Sequence, residues 1–206
     1  MISEELWNIL SGMDIIDVET RSLSEYNPET KSFCLKILNR DYYIFPANRC
    51  VRFAESFPEQ PPDFYLQLAA INYLIGVKDL PLTGQWMAGT QFPSGPLFFR
   101  GPHKMPTHKL EKVFGRSENG FASRALSFGG KKVDGGDCAF EFLFFPRLPV
   151  RLLLWLADEE FPARMVFLFD RSANQHLRLD GLWALGKALA NVLLNNTLMG
   201  GRSFNR

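Results

Sequence analysis

Histidine and acidic side chains in this sequence have the types needed to bind a divalent cation. His103 and His108 flank Pro106, and imidazole nitrogens combine with carboxylate oxygens in mixed ligand sets for transition metals. A separation of five residues on a helix places two side chains about 140° apart around the axis. The pair can therefore converge only if His103 lies in a loop before the helix, with Asp170, His176 or Glu160 as the third ligand. The alternative is that both are ordinary surface or capping histidines.

Three carboxylates stand in a row at Asp158, Glu159 and Glu160. Crowded carboxylates raise one another's pKa or gather a hard cation, which suits acid–base chemistry. A charged loop at a strand end also keeps a hydrophobic sheet soluble, so the sequence leaves both interpretations open. Arg147 is a candidate ion-pair partner for this acidic segment, and it could equally hold an anionic ligand.

Asp170, Ser172 and His176 have the residue types of a hydrolase triad. The sequence has no Gly-x-Ser-x-Gly elbow to support that chemistry. Asp170 is better explained as a turn residue whose carboxylate binds the backbone at Ser172, with His176 reaching back towards the neighbouring strands. We therefore predict a structural turn here.

The segment 80–102 contains four glycines and four prolines among aromatic residues. Ordered loops of this length are often functional, and a mixture of polar and aromatic side chains could line a pocket for a flat ligand. The polar candidates are Thr83, Gln85, Trp86, Gln91, Ser94 and Arg100, and the rings that could stack on the ligand are Trp86, Phe92, Phe98 and Phe99. The alternative is that the aromatic residues only cover a hydrophobic sheet. The glycine spacing is not that of a nucleotide-binding loop. The predicted ligand-binding residues, in this segment and beyond it, are Thr83, Trp86, Arg100, His103, Arg147 and Asp170.

The elements that must position these side chains follow from hydrophobic patterning. Residues 32–45 predict a hairpin with its turn at 39–41, and residues 64–76 predict a buried apolar helix that is too short to span a bilayer. Three hydrophobic runs between 139 and 169 predict a three-stranded antiparallel meander, and their near-continuous hydrophobicity suggests that both of its faces are covered. With further helices near 107–115, 121–128 and 180–193, the sequence predicts a single α+β domain over residues 1–206.

Composition excludes several classes of protein. The 206 residues carry a net charge of +1, which is no electrostatic footprint for nucleic acid or an anionic membrane. Three separated cysteines argue against a disulfide framework and for a reducing compartment. The N-terminal residues carry two acids where a signal peptide carries basic side chains, so we expect a cytoplasmic protein without membrane insertion.

Several strings between residues 81 and 186 resemble one family of prokaryotic proteins. They are Pro81-Leu82-Thr83-Gly84, the stretch from Gly101-Pro102-His103 to Phe114-Gly115, Gly136-Asp137, Phe145-Pro146-Arg147, the segment from Trp155 to Pro162, Phe169-Asp170 with Ser172-Ala173, and His176-Leu177. On these strings the chain resembles domain-of-unknown-function family 3786, for which no reaction is established.

The resemblance implies a metabolic setting. Some members of the family carry an added cysteine-rich iron–sulfur segment like that of corrinoid proteins, which implies a link to anaerobic one-carbon, corrinoid or tetrapyrrole metabolism. The three cysteines of this chain, Cys34, Cys50 and Cys138, are too few to hold a four-cysteine cluster without another chain.

Three functional hypotheses follow, and the sequence leaves catalysis open. The first is a small-molecule or cofactor-binding protein, with a tetrapyrrole, a corrinoid or a divalent metal as candidate cofactors. Its ligand would lie between the 81–108 region and one end of the meander. The second is a metal-dependent hydrolase or lyase that uses His103, His108 and Asp170 or Glu160. The third is an adaptor whose apolar surface binds a protein partner or a second copy of the chain.

Overall fold

The computed structural model describes residues 2–54 and 61–195. In these residues, helices are interspersed with the strands of two antiparallel sheets. The helices are α1 (Glu4–Ser11), α2 (Ile15–Ser22), α3 (Phe64–Gly76), α4 (Gly95–Phe98), α5 (Thr107–Phe114), α6 (Glu118–Ser127), α7 (Ala173–His176) and α8 (Leu179–Asn195). The strands are β1 (Glu25–Asn27), β2 (Ser32–Ile37), β3 (Arg40–Phe45), β4 (Cys50–Phe53), β5 (Trp86–Ala88), β6 (Lys131–Val133), β7 (Cys138–Phe145), β8 (Leu148–Trp155) and β9 (Arg164–Asp170). The predicted α+β fold is confirmed.

The first sheet has the strand order β1-β2-β3-β4 and contains the predicted hairpin as β2 and β3. Ile37 pairs with Arg40, so the turn consists of Leu38 and Asn39, earlier than predicted. Both residues have positive φ, at 50° and 62°, which is the backbone of a two-residue hairpin turn with the twist of the flanking strands. Leucine is not a typical residue of such turns, so the sequence placed the turn one residue too late.

The second sheet has the order β5-β9-β8-β7-β6, and its three central strands are the predicted meander. The sheet also includes β5, whose three residues pair antiparallel with the end of β9. The segment 80–102 is therefore partly a sheet edge and less irregular than its glycines and prolines suggest.

The meander has one buried face and one partly exposed face, so the prediction that both faces are covered was wrong. Phe140, Leu152 and Phe167 form a buried row across the three strands. On the other face Leu143 is 44% exposed and Trp155 is 36% exposed. Sequence patterning missed this face because its outward positions include aliphatic and aromatic residues as well as charged ones.

Arginine side chains cover two tryptophan rings of the exposed face. The Arg151 guanidinium lies 3.9 Å from the centre of the Trp86 ring, and Arg164 lies 5.4 Å from that of Trp155. Cation–π contacts of this kind let an aromatic residue remain at a surface next to water. Arg151 also donates a hydrogen bond of 2.9 Å to Glu141, which holds the guanidinium in place.

The α3 helix is the apolar element at the centre of the helical layer and packs against α8. Its sequence is apolar around the whole circumference, as expected for a helix buried on every side. Asp63 caps it by accepting hydrogen bonds from the backbone N–H groups of Tyr65 and Leu66, and Asn191 of α8 donates to the other carboxylate oxygen. Among the described helices, none has the length and hydrophobicity that a membrane crossing requires.

The Tyr73 hydroxyl joins three parts of the molecule. It donates a hydrogen bond of 3.0 Å to the Ser22 carbonyl at the end of α2 and accepts one of 3.2 Å from the Arg147 N–H in the β7–β8 turn. The Tyr73 ring stacks on Phe145 with 4.3 Å between centres. Because the Tyr73 side chain is fully buried, no water can take the place of its hydroxyl as the partner of the Ser22 carbonyl and the Arg147 N–H.

We predict that Tyr73→Phe lowers the free energy of unfolding by about 1–3 kcal/mol, since it leaves a buried carbonyl and a buried N–H without a partner. The matched control is Tyr43→Phe, because Tyr43 is 37% exposed and its change is expected to stay within about 0.5 kcal/mol. Urea unfolding of both variants measures the difference. Equal losses in the two variants would contradict the structural role of the Tyr73 hydroxyl.

Candidate functional site

A cleft of about 440 Å³ lies where the 93–98 segment faces the 174–180 segment. This is one end of the meander, because the second segment begins four residues after β9. The cleft is lined by Pro93, Ser94, Phe98, Asn174, Leu177, Arg178, Leu179 and Asp180.

The first wall of the cleft is a tight turn that leads into α4. A Cβ at position 95 would overlap the Gly89 carbonyl oxygen, so only glycine fits there. The Gly95 N–H donates to the Phe92 carbonyl at 2.8 Å, and the Phe98 N–H donates to the Ser94 carbonyl at 3.0 Å. These contacts fix the positions from which Ser94 and Phe98 reach the cleft.

The second wall is the corner between α7 and α8. The Leu177 N–H donates to the Ala173 carbonyl at 2.9 Å, and the Leu182 N–H donates to the Arg178 carbonyl at 3.0 Å. Leu177 is buried, while Arg178 and Asp180 are exposed. The corner therefore presents an apolar side chain next to two opposite charges.

Polar side chains in the cleft have few partners within the protein. In the part of the chain that the structure describes, Ser94, Asn174 and Arg178 form no side-chain hydrogen bond or ion pair. Asp180 accepts one hydrogen bond of 3.0 Å, from the Gly181 N–H. The hydrogen-bonding capacity of these groups is thus open to water or to a ligand.

Aromatic rings continue from the cleft along the surface of α8. The Phe98 and His103 rings stack with 4.6 Å between centres, and His103 meets the Trp183 ring edge-on at 5.3 Å. Tyr65 meets Trp183 in the same manner at 5.3 Å. His103, a predicted ligand-binding residue, therefore lies behind Phe98 and fixes the orientation of its ring.

Thr83 and Asp170, two further predicted ligand-binding residues, bind each other. The Asp170 carboxylate accepts five hydrogen bonds of 2.7 to 3.1 Å, donated by the backbone and hydroxyl of Thr83, the backbone of Gly84, and the backbone and hydroxyl of Ser172. Burial alone would raise the pKa of Asp170, but the hydrogen bonds from Ser172 and Thr83 outweigh it and lower that pKa. Asp170 is only 1% exposed, so it positions the loop at 83–84.

Trp86, Arg100 and Arg147 are the remaining predicted ligand-binding residues, and Trp86 is the strand partner of Asp170 in the β5–β9 pair. The Trp86 ring is covered by Arg151, and the Arg100 side chain is exposed. Arg147 does not pair with the acidic 158–160 segment: its Nη1 lies 2.7 Å from an Asp79 carboxylate oxygen, and its Nε donates to the Arg21 carbonyl. Thr83, Trp86 and Asp170 are thus neighbours, and none of the six predicted residues lines the cleft.

The predicted metal ligands are not brought together. His108 is exposed, with its Nδ1 4.0 Å from a Glu111 oxygen, and His103 lies between aromatic rings. Asp170 has both carboxylate oxygens occupied by internal hydrogen bonds. Within residues 2–54 and 61–194, no three His, Cys, Asp or Glu side chains form a group that could hold a metal ion.

The triad geometry is also absent, and the predicted structural turn is confirmed. The Ser172 hydroxyl donates to Asp170 at 2.7 Å, and the Ser172 N–H donates to the same oxygen at 2.9 Å. The His176 Nδ1 accepts a hydrogen bond of 3.3 Å from the Lys78 N–H. The serine and the histidine therefore have different partners.

The acidic segment forms a capped loop beside a second groove. One Asp158 oxygen accepts hydrogen bonds from the Phe161 and Glu160 N–H groups at 2.6 and 2.8 Å, and these bonds lower the pKa of Asp158. The lowered pKa of Asp158 disagrees with the acid–base interpretation of this segment, in which crowding raises the pKa of the carboxylates. The groove has a volume of about 600 Å³ and is lined by Asp137, Trp155, Leu156, Asp158, Phe161, Pro162 and Arg164.

The fold and the cleft define the molecule as an α+β protein with two antiparallel sheets and an open cleft at the end of the larger one. Residues 14–192 match the family model described as Domain of unknown function (DUF3786), and the chain belongs to that family. The match confirms the resemblance and extends it beyond residues 81–186. Searches of curated proteins and of solved structures found no match.

The residues that line the cleft are not the six predicted ligand-binding residues. Ser94 and Phe98 are two of the polar and aromatic residues of the segment 80–102 that could line a pocket, and both line this cleft. Asn174, Arg178 and Asp180 lie in a corner between two helices, where no motif distinguishes them from surface residues. Only the meeting of the two segments in space gives them a shared surface.

His176 is a buried histidine whose protonation affects the stability of the fold. It is 2% exposed, and its Nε2 has no hydrogen-bond partner in the described chain. Burial lowers the pKa of His176, Arg147 and Lys78 lower it further, and Asp170 raises it in part. The folded protein therefore disfavours the charged imidazole.

We predict that the folded protein loses stability as the pH falls below 6.5, the ordinary value for histidine, because the unfolded chain then takes up a proton that folded His176 does not bind. The slope approaches about 1.4 kcal/mol per pH unit for one proton. The pKa of Asp170 lies below 3.8, so its own stability contribution is lost at lower pH.

Urea unfolding between pH 7.5 and 5.0 measures this slope. His176→Gln should flatten it while retaining an acceptor for the Lys78 N–H, whereas His108→Gln changes an exposed side chain and should leave it unchanged. A His176→Gln protein with the slope of the original would contradict the assignment.

Proposed function

We propose that this protein binds a small organic molecule in the cleft between the 93–98 and 174–180 segments. The observation that carries the proposal is a concave surface whose polar side chains have almost no partners among the described residues, beside the Phe98 ring, which stacks on His103. Ligand sites in general combine apolar walls with a few convergent polar groups, and this cleft has that composition.

The dimensions and lining favour a ligand with a flat part and a polar part. A volume of about 440 Å³ falls in the lower half of the usual range for ligand pockets, roughly 300–1,000 Å³. Phe98 offers a ring for stacking, and Ser94, Asn174 and Arg178 offer hydrogen-bond donors. The predicted link to tetrapyrrole or corrinoid metabolism comes from the family resemblance. The cleft volume favours a smaller molecule than a complete corrinoid.

The predicted metal-dependent enzyme and the predicted cytoplasmic location differ in how well the structure supports them. The metal-dependent hydrolase or lyase has no ligand group within the described residues, so we do not propose it. The three cysteines are free thiols, which supports the proposal that the protein works in the reducing cytoplasm.

A ligand-observed NMR screen of aromatic acids, amines and amino acids tests the proposed site. We expect Phe98→Ala to weaken binding of the hits by about tenfold or more, because it removes the stacking surface of the cleft. Leu97→Ala is the matched control: Leu97 is 74% exposed, is the preceding residue of the same helix and is not part of the lining. Hits that bind both variants equally would place the ligand elsewhere.

The groove beside the capped loop favours a second candidate function, assembly with another copy of the chain. Phe161 is 66% exposed although Asp158 fixes the backbone that carries it, and Trp155 lies in the same groove. Aromatic side chains held rigidly at a surface are typical centres of protein interfaces.

The solution mass of the purified chain tests this second candidate. We expect the mass of two chains at micromolar concentration and the mass of one chain for Phe161→Ser, because the substitution removes the apolar anchor. The control is Leu126→Ser, which changes a leucine that is 61% exposed on α6, outside the groove. A monomeric original protein contradicts assembly through this groove.

A further inference from the structure

We propose that the ligand of the cleft is a zwitterion with an aromatic side group, which is the chemistry of an aromatic amino acid or a close derivative of one. This inference rests on the proposed function and names the class of ligand for that site. It follows from the two opposite charges in the lining and from the ring beside them.

Arg178 and Asp180 are the charged side chains of the cleft lining. They lie two residues apart at the start of α8, and neither takes part in an ion pair in the described chain. Asp180 has a single hydrogen bond, from the adjacent Gly181 N–H to one carboxylate oxygen, so its other oxygen has no protein donor among the described residues. The cleft thus offers one guanidinium and one carboxylate, neither of which forms an ion pair with a described residue.

This pair of charges selects against ligands of a single sign. An anion that binds Arg178 brings a negative charge near Asp180, and a cation that binds Asp180 brings a positive charge near Arg178. A ligand with a carboxylate and an ammonium group satisfies both residues, and its carboxylate can accept two parallel hydrogen bonds from the guanidinium.

The rest of the lining suits the remaining parts of such a ligand. Phe98 is held by the stacked His103 ring, so it presents a fixed surface to a flat side group. Pro93 and Leu177 add apolar surface. The Ser94 hydroxyl and the Asn174 amide each combine donor and acceptor capacity, and neither is used within the described chain.

Two further cavities lined by described residues lack this combination. The groove of about 600 Å³ contains one arginine, but that guanidinium lies over the Trp155 ring, and the two acids there bind loop N–H groups. A cavity of about 520 Å³ on the first sheet has two acids, Glu25 and Glu29, and no basic residue in its lining. The cleft at α8 is thus the described cavity that matches a zwitterion.

Three probes of the same shape separate the contributions of the two charges. L-phenylalanine carries both groups, 3-phenylpropionate lacks the ammonium, and phenethylamine lacks the carboxylate. Calorimetric titration of the full chain should give binding of L-phenylalanine about tenfold tighter than either analogue, since each analogue leaves one cleft charge unpaired.

Two substitutions assign each difference to a residue. Asp180→Asn should remove the preference for L-phenylalanine over 3-phenylpropionate, and Arg178→Gln should remove the preference over phenethylamine. Glu5→Gln and Lys31→Gln are charge-matched controls outside the cleft and should keep both preferences. Thermal unfolding of every variant establishes that it is folded.

The outcomes distinguish this inference from the proposed function. Equal binding of the three probes, lost in Phe98→Ala, overturns the zwitterion and leaves the cleft as a ligand site. Failure of L-phenylalanine to bind where other screened molecules bind in a Phe98-dependent way also overturns the zwitterion alone. Absence of any Phe98-dependent ligand overturns both. Preferences that persist in Asp180→Asn and Arg178→Gln contradict the roles given to those residues.

Discussion

The Asp170 carboxylate is the interaction on which both walls of the cleft depend. Its oxygens accept hydrogen bonds from Thr83 and Gly84, which fix the segment leading to β5, and from Ser172, which fixes the turn leading to α7 and α8. Five donors satisfy a buried charge that would otherwise destabilise the fold. Two distant parts of the chain therefore approach each other through one side chain at the end of β9.

The larger sheet has hydrophobic side chains on a face that is partly exposed to water. Its outward positions include tryptophan, leucine and valine, yet α6 packs on the other face, where Phe121 meets Phe140. Arg151 and Arg164 place charged groups over the tryptophan rings, which keeps polar atoms at the surface while the rings remain on the sheet. A continuous apolar run therefore does not by itself indicate a sheet covered on both sides.

Local sequence patterns predicted the helices and strands, whereas the surroundings of the candidate site residues depend on contacts between distant parts of the chain. The meander, the hairpin and α3 each follow from periodicity and flanking turn residues within one segment. Thr83, Arg147 and Asp170 looked available for a ligand because the sequence does not reveal that their partners are one another or Asp79. The strand β5 exists because β9 lies beside it, which overrides a local composition typical of turns.

Ser94, a residue of the cleft lining, has a strained backbone conformation. Its φ of 61° lies in the left-handed region, where a glycine would sit without strain and a serine is less stable by the order of 1 kcal/mol. The strained side chain is a hydroxyl on the rim of the cleft, with no capping bond to its own helix. Under the proposed function, stability and ligand recognition set opposite demands at this position, as in proteins where activity is maintained at the expense of a more stable fold.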